Sequence, residues 1–569
     1  VSHGGGKGLF KALVAIIYSV TIVACNPKSP DSPEPNTSSG SFFEASSPNI
    51  ILIVADDLGY TDIGPFGSEI ATPELARLAA EGVRLSHFYA TPSCSTTRAQ
   101  LMSGVDNHLA GLGTMGEIIQ PHQRGHPGYE GYLNERIHSL PQVLSSAGYR
   151  TYMAGKWHLG MGDGQIPTAR GFDRSFAMLG GVASHYDAFG SAHSIEKTPY
   201  REDGVAVDWP ANAYSSDLYT DRLISFIAQT PAEAKPFFAY LAFTAPHFPL
   251  QAPSSNLQQY LGAYDDGYAS LAKARLSGLK AAGLDSNWGQ QTQTLERLES
   301  LWLALSADEK RRQSRRMEAY AAMIDRIDEN IGRLLDSLRE SGRLDNTIVV
   351  FTSDNGASAT EAEGHRFFGE RVATADNSLG NMGMPSSYIS LGMHWASAIN
   401  IPFSGFKHNT SEGGIRVPAI LWWGPAVKTV GQRRGSVDAR TMTVRDLTAS
   451  IYRAAGVSID ALNASSDSKH PISGRPLVFA NPDCVAEEAC RSQNDVVFGW
   501  EYRNKFALLR GDWKIVKTNG AMPQKWRLFN IRQQPQETKD VSADQPQLFQ
   551  ELLTEWDRYL EENNVRLPP

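Results

Sequence analysis

Two uninterrupted apolar runs, each ending in oxygen-bearing side chains, constrain this chain more than any other feature. Asn49-Ile50-Ile51-Leu52-Ile53-Val54-Ala55 leads into Asp56-Asp57, and Thr347-Ile348-Val349-Val350-Phe351-Thr352 leads into Ser353-Asp354-Asn355-Gly356. A β-branched run with no polar alternation is a strand buried on both faces, as in a parallel sheet. Segments 236–243 and 418–423 are further strand candidates. Between the strands lie helical segments. Residues 73–82 read as a helix capped by Thr72, with Pro73 in its first turn and Gly82 at its end. Strands alternating with helices predict an α/β fold built on a large mixed, mostly parallel sheet sandwiched by helices. In such sheets ligands bind beyond the carboxyl ends of the strands, where Asp56, Asp57, Asp354 and Asn355 fall.

Segment 260–341 is rich in Ala, Leu, Arg and Glu and reads as several helices. Residues 315–338 are expected to pack on the sheet. The earlier part, near 255–315, reads as an insertion that either covers a pocket or is a solvated excursion. Beyond about Cys490 the pattern changes. Short strands at 495–500, 506–510 and 513–517, then a helix at 548–562, predict a smaller C-terminal antiparallel sheet plus helix. Leu552, Leu553, Trp556 and Leu560 on that helix form a packing stripe. The expected organisation is thus a catalytic domain over 49–490 and a C-terminal subdomain over 491–569.

The N-terminus reads as an address. Residues 1–24 carry Lys7 and Lys11 and no acid, and an uncharged apolar run fills 12–24, the layout of a secretory signal peptide. Ile22-Val23-Ala24-Cys25 resembles the lipobox of bacterial lipoproteins, in which the Cys is lipidated; the alternative is an ordinary signal peptide with an incidental Cys, and the small residue before Cys25 and the linker after it favour the lipoprotein. Asn26 after the Cys is similar to the outer-membrane pattern. Residues 25–48, rich in Pro and Ser, read as a tether. The expectation is an exported, periplasmic or outer-membrane lipoprotein of a bacterium, held to the membrane through lipid on Cys25. Cys484 and Cys490, six apart in a polar stretch, fit a local disulfide in an oxidising compartment. A net charge of −8 argues against broad nucleic-acid binding. Hydrophobic residues at 41% and charged residues at 20% exclude a mainly disordered, collagen-like or coiled-coil chain.

Three carboxylates and one amide at one rim suit a hard divalent cation, Ca²⁺ or Mg²⁺. Cys94 lies in Thr91-Pro92-Ser93-Cys94-Ser95-Thr96-Thr97-Arg98-Ala99-Gln100-Leu101-Met102-Ser103-Gly104. That stretch resembles the signature of the type I, formylglycine-dependent sulfatases, Cys-x-Pro-x-Arg, in which Ala sometimes stands third; here Thr96 does. Gly155-Lys156-Trp157-His158-Leu159-Gly160, Ala245-Pro246-His247-Phe248-Pro249, and Phe406-Lys407-His408 followed by Glu412-Gly413-Gly414-Ile415-Arg416 are similar to the family's other site motifs, in the same order. Residues 107–115 and the helical insertion are similar to bacterial arylsulfatases. The likeness runs from Asn49 to the C-terminal helix, within the alkaline-phosphatase-like superfamily.

The resemblance implies hydrolysis of a small-molecule sulfate monoester, such as an aryl sulfate, to the phenol and inorganic sulfate. It implies that a formylglycine-generating enzyme oxidises Cys94 to an aldehyde, whose hydrate is the nucleophile. It assigns the metal, most often Ca²⁺ and less often Mg²⁺, to Asp56, Asp57, Asp354, Asn355 and the modified Cys94. Lys156, Lys407 and His247 would hold sulfate oxygens, His247 or Lys407 would protonate the leaving oxygen, His158 would take the proton that lets sulfate depart, and Arg98 would hold the diol. Two alternatives share the pattern: a phosphonate monoester or phosphodiester hydrolase, and a non-catalytic lipoprotein with the same fold.

Overall fold

The computed structural model describes residues 47–190, 197–230, 235–284, 291–364, 368–427, 434–465, 468–476, 496–518 and 525–568. The expected signal peptide, Cys25, all of the tether but its last two residues, Cys484 and Cys490 lie outside the described residues.

Sixteen strands are described: β1 (Asn49–Ala55), β2 (Val83–Leu85), β3 (Phe88–Tyr89), β4 (Arg150–Lys156), β5 (Arg174–Met178), β6 (Tyr200–Glu202), β7 (Val205–Val207), β8 (Phe237–Ala242), β9 (Thr347–Ser353), β10 (Ala419–Trp423), β11 (Ser436–Asp438), β12 (Met442–Thr443), β13 (Val497–Tyr502), β14 (Lys505–Arg510), β15 (Trp513–Lys517) and β16 (Arg527–Asn530). Ten of them form one sheet in the order β11-β2-β10-β9-β1-β8-β4-β5-β6-β7. Its centre, β9-β1-β8-β4-β5, is parallel throughout. β10 runs antiparallel to β9, and β6 antiparallel to β5, so the sheet is mixed toward both edges.

The expected continuous strands are buried on both faces because successive side chains point to opposite sides. Ile51, Ile53 and Ala55 of β1 join one core with the helices Pro73–Glu81, Ser215–Ala228 and Ala307–Glu340. Ile50, Leu52 and Val54 join the other core with the helices Cys94–Ser103, Leu140–Ser146 and Val444–Ala454. Each fully buried side chain of this size contributes about 1.5–3 kcal/mol, so β1 is held from both sides and its carboxyl end is a rigid platform.

Several local expectations need correction. Thr72 does not cap the helix Pro73–Glu81. Its hydroxyl accepts from Gly64 N at 2.8 Å, and the Asp328 carboxylate takes Glu74 N and Leu75 N instead, at 2.9 and 2.8 Å. The charged segment expected to split around 315 is one helix from Ala307, with a capping box between Ser306 and Glu309. The insertion is not a solvated excursion in its central helix, Tyr268–Ala281, which buries Tyr268, Leu271, Arg275 and Leu279. That helix packs against the turn Gly64–Phe66 behind β1, and Gly278 meets Gly67 so closely that a Cβ would fall 2.1 Å from Gly67 O.

The C-terminal strands pair as β13-β14-β15-β16, all antiparallel, with the first strand two residues later than expected and β16 unforeseen. One face of this sheet packs Phe506, Leu508, Ile515 and Leu528 on Leu552, Trp556 and Tyr559 of the helix Pro546–Glu562. The other face packs Trp500, Leu509 and Phe529 on Tyr89 and Ile415. Among the described residues no helix is long and apolar enough to cross a membrane.

Candidate active site

Strand order brings the polar residues together. β4, β8, β1 and β9 are neighbours and parallel, so their carboxyl ends share one edge. Lys156 ends β4, His247 follows β8, Asp56 and Asp57 follow β1, and Asp354 and Asn355 follow β9. Ala55 pairs with Ser353, which sets Asp56 beside Asp354. Two local devices make the turns. Asp57 takes a left-handed conformation at φ 69°, and Gly155 one at φ 116°, where a Cβ would lie 1.8 Å from Ala242 O. Only glycine fits the second.

Cys94 is the first residue of the helix Cys94–Ser103, and Arg98 stands one turn on, on the same face. Lys407 arrives from a loop held by Lys407 N to Ala357 O at 3.0 Å and His408 N to Pro92 O at 2.7 Å. All the site residues expected from the sequence are therefore in one buried cluster, none more than 7% exposed.

The contacts are ionic. Lys156 Nζ lies 2.6 Å from Asp56 Oδ2, and Lys407 Nζ lies 2.6 Å from Asp57 Oδ1, which also accepts from Asn355 Nδ2 at 2.7 Å. Arg98 gives Nε and one terminal nitrogen to Asp354 Oδ2 at 3.0 and 2.6 Å. Its other terminal nitrogen reaches Lys156 O at 3.0 Å and Tyr240 OH at 3.2 Å. His247 Nε2 is 3.5 Å from Asp57 Oδ2, and its Nδ1 donates to Phe248 O at 2.6 Å. Cys94 Sγ lies 3.3 Å from His158 Nδ1, and His158 Nε2 lies 3.1 Å from Glu117 Oε1.

The residues fit a divalent cation. Asp56 Oδ1, Asp57 Oδ2 and Asn355 Oδ1 are buried with no hydrogen-bond partner among the described residues. Leaving one buried polar atom unpaired costs about 1–3 kcal/mol, so three in one place call for a common partner. Ligand atoms of Asp56, Cys94 and Asp354 lie within 4.8 Å of one another, as do those of Asp56, Asp57 and His247. Hard oxygen donors of this kind match Ca²⁺ or Mg²⁺.

The same crowding sets the protonation states. Burial and the neighbouring Asp56 carboxylate raise Asp354, against the pull of Arg98. Burial would raise Asp56 too, but Lys156 and His247 hold it below the usual carboxylate range. Burial raises the Cys94 thiol, yet Lys156, Lys407 and His158 outweigh it and bring it down to about 6. The two histidines part company. Burial lowers His247 to about 4 despite Asp57, whereas Glu117 and Cys94 overcome burial and raise His158 to about 9.

Thr96, at the place where the resembled signature has Pro or Ala, sits in the first helical turn. Its hydroxyl donates to Ser93 O at 2.8 Å and touches Thr91 Oγ1. Backbone N–H groups in a helix's first turn have no intrahelical acceptor, so Pro, which lacks that N–H, costs no helical hydrogen bond there.

Sequence reading missed four residues that support the site. Glu117 partners His158; it stands two positions beyond the 107–115 motif, and nothing at its own position signals the role. Tyr240 meets Arg98 from the middle of β8, where it reads as a core aromatic. His185 donates toward His247 O at 3.1 Å while Ser215 Oγ lies 2.7 Å from its Nδ1. Tyr320 OH lies 3.1 Å from Asp57 O.

A buried cysteine, three cations and a carboxylate cluster thus meet at the carboxyl edge of a parallel sheet, where open α/β sheets bind their ligands. The family model described as Sulfatase matches residues 48–457. An uncharacterized sulfatase of Schizosaccharomyces pombe is 37% identical over 92% of this chain and 96% of its own length. The arylsulfatase of Klebsiella aerogenes is 39% identical over 78% of this chain and 93% of its own. The crystal structure of a sulfatase from Pseudoalteromonas sp. superposes with a TM-score of 0.57 at 22% identity, covering 91% of this chain and 90% of that one. The chain belongs to the sulfatase family. It is a sulfuric ester hydrolase with the mixed-sheet fold of that family.

Proposed function

We propose that the protein hydrolyses aryl sulfate monoesters with a formylglycine made from Cys94 by a formylglycine-generating enzyme, and with a divalent cation, Ca²⁺ in preference to Mg²⁺. One observation carries the reading. Residue 94 opens a helix inside the carboxylate cradle, with its side chain on His158 and within ligand reach of Asp56 and Asp354.

Asp56, Asp57, Asp354 and Asn355 would hold the cation, which supplies positive charge for the sulfate oxygens. Formylglycine supplies, as its hydrate, one oxygen to attack sulfur and a second hydroxyl whose deprotonation releases sulfate. The protein's own residues do the rest. Lys156, Lys407 and His247 bind and orient the sulfate group in line with residue 94. Arg98, tied to Asp354 and Lys156 O, fixes the helix that carries residue 94 and balances the carboxylate charge. Lys407, or His247 once the bound sulfate anion has raised its proton affinity, gives a proton to the leaving phenol oxygen; both face Asp57. His158, held at Nε2 by Glu117, turns Nδ1 to residue 94; the Cys94 charge that helps to raise it is gone once that residue is formylglycine, which leaves Nδ1 to take the proton there. An unmodified thiol or hydroxyl has no second hydroxyl with which to expel sulfate.

The leader pattern ending in Cys25 supports export and lipid anchoring in a bacterial periplasm or outer membrane as a further part of this proposal. The chemistry is tested by comparing para-nitrophenyl sulfate with para-nitrophenyl phenylphosphonate, using matured protein, Cys94→Ala and Asp354→Ala. The proposal expects sulfate to be preferred, Cys94→Ala to be inactive with an unchanged melting curve, and Asp354→Ala to lose bound metal and activity together. A faster phosphonate reaction, or an active Cys94→Ala, refutes it.

A further inference from the structure

The central helix of the insertion, Tyr268–Ala281, buries one cation outside the cluster of reacting groups. Arg275 is completely buried. It gives Nε and one terminal nitrogen to Glu69 at 2.5 and 3.0 Å, and its other terminal nitrogen to Asp62 Oδ1 at 2.9 Å and to Thr61 O. These acceptors belong to the loop that follows Asp56 and Asp57.

Asp62 passes the constraint inward. Its Oδ2 accepts from Gly59 N at 2.6 Å and from the Tyr320 hydroxyl at 2.7 Å, and that hydroxyl also lies 3.1 Å from Asp57 O. A chain of short polar contacts therefore runs from Arg275 through Asp62 and Tyr320 to the backbone of Asp57. Asp57 needs such support, because its left-handed φ of 69° is strained for a residue with a side chain.

A second observation places the whole helix against this loop. A Cβ on Gly278 would lie 2.1 Å from Gly67 O, and one on Gly67 would lie 2.4 Å from Leu279 N. Tyr264 OH donates to Glu69 Oε1 at 2.8 Å, Ala71 N donates to Tyr260 OH at 3.2 Å, and Arg84 bridges Pro65 O and Ala282 O. The segment 260–282 grips 61–71 along its length.

We propose that Arg275 is a positioning residue for the cation site, and that the insertion helix serves as the brace setting the Asp57 loop in its cation-holding shape. This rests on the reading of Asp57 as a cation ligand. A buried charge paired with two carboxylates is weak evidence for net stability, whereas outer partners of metal ligands typically govern affinity by about 10–100-fold.

The test uses the full chain, stripped with a chelator and titrated with Ca²⁺ alone by calorimetry. Arg275→Met removes the clamp. Tyr320→Phe removes the hydroxyl that joins Asp62 to Asp57 O without adding an atom or changing any charge, and decides the matter if Arg275→Met does not fold. The expected result is a folded variant whose Ca²⁺ dissociation constant rises at least about tenfold, with the Ca²⁺-induced rise in melting temperature reduced in step. Wild type that binds Ca²⁺ beside folded variants that bind it equally well overturns the brace and leaves the active-site reading intact. Wild type that binds no Ca²⁺ overturns the cation site itself, and the brace with it.

Discussion

His108 offers a sharp test of how the C-terminal subdomain is locked to the rest. It is completely buried, with Nδ1 2.8 Å from Asp106 Oδ1 and Nε2 3.4 Å from Glu501 Oε2 of β13. Tyr559 of the C-terminal helix gives its hydroxyl to Asp106 Oδ2 at 3.1 Å. Burial lowers the basicity of His108, but Asp106 and Glu501 more than reverse this and raise it to about 9. Its unfolded value is near 6.5. The folded state therefore binds the proton more tightly. The stabilisation is complete below about pH 6.5 and is lost as pH rises through about 9. The span corresponds to about 3 kcal/mol, from about 1.4 kcal/mol per pH unit. With an unfolding entropy near 2.1 cal/mol/K per residue, that is a shift of roughly 3 °C for a chain of this size. The assay is thermal and urea unfolding of wild type and His108→Gln between pH 6 and 10. The stability gap between the two should shrink by about 3 kcal/mol across this range. A gap that stays constant means that His108 is neutral in the fold and that the ion network between the two parts is misread.

Gly155→Ala should destabilise by more than about 3 kcal/mol or prevent folding, since its Cβ would lie 1.8 Å from Ala242 O at the end of β4; a melting curve like wild type contradicts this. Glu117→Ala should cut kcat about 10–100-fold with little change in melting temperature, because it frees His158 at Nε2; an unchanged kcat removes Glu117 from the mechanism. Thr96→Pro should fold normally and be converted at position 94 at least as fully as wild type, as read by peptide mass spectrometry. A melting temperature lowered by several degrees would show that the Thr96 N–H, or its hydroxyl on Ser93 O, has a partner that matters.

The parts of the fold legible in the sequence were those encoded locally. The β1 and β9 runs announce two-sided burial by lacking any alternation, and the oxygen ligands sit where such strands end. Cys94 and Arg98 are four apart in a helix, so their shared face is written in their spacing. What escaped was set by distant partners. Thr72 looks like a cap, but Asp328, more than two hundred residues away, supplies that function. Tyr240 and Tyr320 read as core aromatics, and only the assembled sheet turns their hydroxyls toward Arg98 and Asp57. Arg275 reads as one charge among many in a helical insertion, because nothing local distinguishes a buried arginine from a solvated one. The strand β16 has four residues, too few for its alternation to stand out.

Everything proposed for the chemistry depends on residue 94 working as formylglycine. It is tested most directly by mass spectrometry of the tryptic peptide 85–98, from protein co-expressed with a formylglycine-generating enzyme, alongside turnover of para-nitrophenyl sulfate by the same sample. The expected peptide is one in which the Cys94 side chain has exchanged H₂S for oxygen, with turnover rising in proportion to the converted fraction. Turnover by a sample in which Cys94 is wholly unmodified would contradict it.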